Sequence, residues 1–172
     1  MVLLISAIGI LLFAATGANV ESSMHACSLL TADEVGTALG DKASPPHENN
    51  VIIDKGPSKG ETMRTCTWRV GGQGMVSLNV IRAPKDAKPG TALLHQAFET
   101  LKSQGWKEER KQLGSVTCVL MTPPSGQDKL PISTGCLGEA KERGLSIGAM
   151  GKKAVPIEQI KPLFDKAVAR LQ

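Results

Sequence analysis

The chain has 172 residues, with 20 Lys and Arg against 16 Asp and Glu, for a net charge of +4. Basic residues are interleaved with acids, as in Lys107-Glu108-Glu109-Arg110-Lys111, so no stripe for nucleic acid is present. With two Trp, three Phe and no Tyr, the interior must be built largely without big rings, which lowers the burial gain per residue.

Met1 to Val20 carries no charge, and Val2 to Phe13 is nearly all aliphatic. Such a run suits an export signal and is short for a bilayer span, although the usual basic n-region is missing before Glu21. Small residues follow at Ala14-Ala15-Thr16-Gly17-Ala18. Residues 1–18 are therefore expected to be a signal peptide, and 19–172 a single exported domain, periplasmic or extracellular, with no transmembrane segment after cleavage. Met24-His25-Ala26 before Cys27 is no lipobox, so a lipid anchor is not expected. In an oxidising compartment Cys27, Cys66, Cys118 and Cys136 read as two disulfides.

Thr31 and Glu34 form a capping box, with Leu30 and Val35 as its hydrophobic staple. The helix they start should end at Gly40 and bury Val35, Ala38 and Leu39. Asp41 to Glu61 reads as a long loop with a possible short strand at Val51-Ile52-Ile53. Cys66, Trp68 and Val70 alternate with polar residues, as do Val76, Leu78 and Val80, and Gly71 to Gly74 joins the two runs as a hairpin. Thr91 to Ser103 has Leu94, Ala97, Phe98 and Leu101 at helical spacing, with Gly105 as terminator. Trp106 to Lys111 is a charged edge strand. Three further strands are expected at Ser115 to Met121, Ser133 to Glu139 and Leu145 to Met150. The last helix presents Ile160, Leu163, Phe164, Ala167, Val168 and Leu171, and must begin near Glu158 to accommodate Pro162. This order predicts an α+β fold: a single antiparallel sheet with helices packed against it, stabilised by disulfides.

Cys27-Ser-Leu-Leu-Thr-Ala-Asp-Glu-Val35, Ala38-Leu39-Gly40, Cys66-Thr67-Trp68 and the stretch Pro162 to Leu171 together resemble bacterial exported proteins of a domain family of unknown function, many of them lipoproteins. The resemblance implies an α/β sandwich somewhat similar to the Mog1/PsbP type and brings no catalytic residue. The chain departs from many members in its missing lipobox and its second cysteine pair. Four cysteines allow three pairings. Cys118 and Cys136 fall in neighbouring strands, which leaves Cys27 for Cys66, and the resemblance points the same way because each of its two motifs holds one of these cysteines. No Cys-x-x-Cys spacing argues for redox exchange, and no close ligand pair argues for zinc.

Gly144-Leu145-Ser146-Ile147-Gly148 matches the nucleophile-elbow pattern. That elbow needs a strand–turn–helix setting and a downstream His, and none follows Ser146. Gly148 to Lys153 lacks the first Gly and the final Ser or Thr of a phosphate loop. His25, near the mature N-terminus, is expected to be disordered, His47 to lie on the surface and His95 to border a helix. Trp68 and Trp106 could line a ligand groove, although Trp68 suits core packing beside Cys66. No catalytic, cofactor-binding or metal site is nominated. The expected function is a non-catalytic exported domain binding a protein, an envelope component or a small ligand; the alternative is a small exported hydrolase using Ser146 or a His. N-terminal sequencing of the exported product should begin near Asn19, and recovery of Met1 would remove the signal assignment.

Overall fold

The computed structural model describes residues 24–55, 59–82 and 98–171. The expected signal peptide, and His95 with most of its helix, lie outside them. Seven antiparallel strands form one sheet: β1 (His47–Ile52), β2 (Thr62–Val70), β3 (Gly74–Arg82), β4 (Lys107–Leu113), β5 (Val116–Thr122), β6 (Ile132–Ala140) and β7 (Arg143–Gly151). Their order is β1-β2-β3-β7-β6-β5-β4. The helices are α1 (Ala32–Leu39), α2, described over 98–103, and α3 (Ile157–Arg170). Strand dominates, so the fold is α+β in a loose sense: a large sheet carrying a few helices.

One row of in-register residues crosses the whole sheet: Glu48, Cys66, Leu78, Ile147, Cys136, Cys118 and Lys111. Because side chains alternate along a strand, this row and its neighbours two residues away share one face. Trp68, Val80, Leu145 and Ala149 stand on it, and all are buried with Val35, Leu39, Ile160, Leu163 and Phe164 in one cluster. The helices α1 and α3 therefore cover this face. Gly138 lets α3 come close, since a Cβ there would lie 3.1 Å from Phe164 Cζ. Pro162 sits on the exposed side of α3, where water can meet the carbonyl its missing N–H leaves free.

Capping holds α1 at both ends. Glu34 N–H donates to Thr31 Oγ1 at 3.2 Å and Thr31 N–H donates to Glu34 Oε2 at 2.9 Å. Gly40, at φ 69°, supplies the left-handed terminator. The buried face is Val35, Gly36 and Leu39, with Ala38 half-buried against the same core; Gly36 lies where the chain returns along Asp41. Glu34 also joins the two helices. Arg170 grips its carboxylate at 2.7 Å through both terminal nitrogens, and Lys166 Nζ lies 3.1 Å away.

The segment read as loop departs most from expectation. His47–Ile52 is a full strand, although four of its six residues are polar and all but Glu48 are exposed. Backbone pairing to β2 holds this edge, so no hydrophobic alternation is needed. His25 is ordered: its Nδ1 hydrogen-bonds Glu48 Oε2 at 3.1 Å, beside a short 3-10 turn over Ala26–Ser28. The β6–β7 connection turns on Lys141 and Glu142, both left-handed at φ 49° and 61°. Lys141 Nζ is tied to the Leu171 carbonyl at 2.6 Å.

The sulfurs bond as Cys27–Cys66 and Cys118–Cys136, with sequence separations of 39 and 18. Loops of that length correspond to about 3–4 kcal/mol per bridge by the chain-entropy estimate. Replacing Cys27 and Cys66 together by Ala should lower unfolding free energy by about that much in urea melts. The native protein should titrate no free thiol.

The Arg170 guanidinium, with the Thr31 N–H and Lys166, holds the Glu34 carboxyl far below the usual carboxylate range despite partial desolvation. The charged form is favoured in the fold, so this stability is complete above the ordinary carboxylate pKa. It is lost as pH falls towards the depressed folded value. Glu34→Gln should therefore flatten the acid limb of a stability–pH profile and leave its shape above neutrality unchanged.

Candidate functional site

The opposite face of the sheet carries a pocket of about 290 Å³. Its floor is made by the alternate residues of β3, β7 and β6: Ser77 and Asn79, then Ser146 and Gly148, then Ser133 and Gly135. Phe98 from α2, Val119, Leu137 and Met150 give it apolar walls. Gly148 and Gly135 are register partners, and with no side chain at either position the floor is recessed.

A polar ladder crosses the floor. Thr65, Asn79 and Ser146 are register partners on β2, β3 and β7. Thr65 Oγ1 donates to Asn79 Oδ1 at 2.8 Å, and Asn79 Nδ2 donates to Ser146 Oγ at 3.2 Å. These bonds fix the amide orientation of Asn79. Ser146 accepts here, which leaves its own hydroxyl proton to be donated elsewhere. Among the described lining residues there is no Asp, Glu, His, Lys or Arg, so the described floor is neutral. Such a surface can hold an uncharged apolar body and accept or donate one or two hydrogen bonds.

Ser146 therefore lies in the pocket, but in the middle of β7, with Leu145 and Ile147 buried on the other face. The strand–turn–helix of a nucleophile elbow is not formed. His47 shares the face yet sits on β1, three strand spacings or about 14 Å from β7. His25 is paired with Glu48, and His95 is outside the described residues. Trp68 is fully buried in the helix-side core and Trp106 does not line the pocket. The four cysteines are structural; only Cys136, whose side chain is on the helix side, also borders the floor. Among the described residues no group of three or more His, Cys, Asp and Glu is placed to hold a metal ion.

Sequence reasoning missed Ser77, Asn79 and Gly148 as a group. The available signal was alternation: Ser77-x-Asn79 and Ser146-x-Gly148 put small or polar residues on one face of strands whose other face is apolar.

No protein-family model and no curated protein matches the chain. Among solved structures it is similar to the extracellular domain of PknH from Mycobacterium tuberculosis. The TM-score is 0.56 at 14% sequence identity, over 84% of this chain and 93% of that one. At that identity the likeness establishes a shared fold.

Proposed function

We propose that the protein is an exported, non-catalytic domain that binds a small, uncharged, largely apolar molecule in the pocket beneath α2. The observation that carries this reading is the neutral, recessed floor with its Thr65–Asn79–Ser146 ladder. Apolar walls with a few fixed polar groups are the usual make-up of a ligand site, and 290 Å³ suits a small ligand. Two disulfides support an oxidising compartment, periplasmic or extracellular, reached through a signal over residues 1–18. The fold likeness to an extracellular domain supports the same setting, as does the sequence resemblance to exported proteins of the Mog1/PsbP-like type. A hydrolase using Ser146 would need a base beside it, and the described lining supplies none.

The neutral fluorophore N-phenyl-1-naphthylamine serves as the probe. Wild-type protein should enhance its fluorescence saturably. Gly148→Leu should weaken that binding about tenfold or more, equivalent to about 1.4 kcal/mol. A Cβ at Gly148 comes no closer than 3.5 Å to its neighbours, so the substitution fills the pocket without backbone collision and should leave the melting temperature nearly unchanged. Equal binding by wild type and Gly148→Leu would overturn the reading. Ester hydrolysis abolished by Ser146→Ala would replace it with the enzymatic one.

A further inference from the structure

All four cysteines are held in disulfides, so no thiol competes for an oxidant. The sulfurs left open to oxidation are the thioethers of methionine. Among the described residues these are Met24, Met63, Met75, Met121 and Met150. Of these, Met75 and Met150 alone are exposed, each at 39%, whereas Met121 is buried at 1% and Met24 and Met63 are part-buried.

The two exposed methionines are neighbours. Met75 on β3 and Met150 on β7 are register partners, directly opposite one another on the pocket face. Met150 is itself part of the apolar wall. On its other side it pairs with Ser133, which also lines the pocket. A thioether in that position is apolar and polarisable, and suits an uncharged ligand. A sulfoxide is polar, and its oxygen can accept the Ser133 hydroxyl proton. Covering that oxygen with an apolar ligand strips its water and breaks such a bond, which costs binding.

We propose that Met75 and Met150 are oxidation sites of this protein, and that conversion of Met150 to its sulfoxide by a peroxide weakens binding of the apolar ligand in the pocket. The thioether sulfur attacks one oxygen of hydrogen peroxide, so that an S–O bond forms and the O–O bond breaks. The proton on the attacked oxygen passes to the departing hydroxide, which leaves as water. Sulfur gives up two electrons and the peroxide takes them. The effect on binding rests on the pocket reading; the sites of oxidation do not.

The full exported chain, treated with limiting hydrogen peroxide, is mapped by peptide mass spectrometry, and N-phenyl-1-naphthylamine binding is measured before and after. The Met75 and Met150 peptides should gain one oxygen several-fold faster than those of Met63 and Met121. Wild-type affinity for the probe should fall about tenfold. Met150→Leu, close in volume and inert to peroxide, should bind the probe before treatment and keep its affinity afterwards. Met75→Leu should still lose affinity. Equal oxidation rates at exposed and buried methionines would overturn the assignment. Wild type that gains oxygen at Met150 yet binds as before would overturn the effect on binding, as would Met150→Leu that weakens as wild type does. Wild type that binds no probe even before treatment marks failure of the pocket reading; the effect on binding falls with it, and the peptide map still decides the oxidation sites.

Discussion

Register across five central strands is the constraint on which the rest depends. Cys66, Leu78, Ile147, Cys136 and Cys118 occupy one line, and a slip of a single residue in any strand would turn its apolar set towards the wrong face. The two disulfides sit on this line. Cys118–Cys136 joins direct register partners, at a Cα separation of 4.0 Å, and so locks β5 to β6. Cys27–Cys66 ties β2 to the turn that precedes α1.

The same register separates the chemistry of the two faces. On β7, Leu145 and Ile147 enter the helix-side core, while Ser146 and Gly148 floor the neutral pocket. On β3, Leu78 and Val80 face the helices, and Ser77 and Asn79 face the pocket. A single strand thus serves packing and recognition without compromise, because period two assigns alternate residues to each.

The helix layer is fastened electrostatically as well as by packing. Glu34 completes the α1 capping box and accepts both forks of Arg170 from the last turn of α3. The Glu34 carboxylate thus suits the positive start of α1 and the Arg170 guanidinium the negative end of α3, each the sign its helix dipole prefers. The edges differ in how they avoid pairing. β4 is guarded by Lys and Glu, whereas β1 is polar and exposes Val51 and Ile52 only at its end.

Local signals were enough for α1, whose cap, staple and terminator are neighbours in sequence, and for β2, β3, β5 and β7, whose apolar alternation reports a half-buried strand. The last helix was equally legible from its stripe of Ile160, Leu163, Phe164 and Ala167. β1 was not, because an edge strand held by backbone hydrogen bonds need carry no hydrophobic period. The Lys141-Glu142 turn was hidden too, since left-handed φ is usually announced by Gly or Asn and here is held by a contact to the distant Leu171 carbonyl. Ser146 was visible as a residue but not as part of a site. Its partners Asn79 and Thr65 lie 67 and 81 positions away, and only strand pairing brings their side chains together. Sequence alone thus determined the elements whose stabilising groups are close along the chain. Tertiary structure decided the candidate site, because it is assembled from residues of adjacent strands that no local pattern connects.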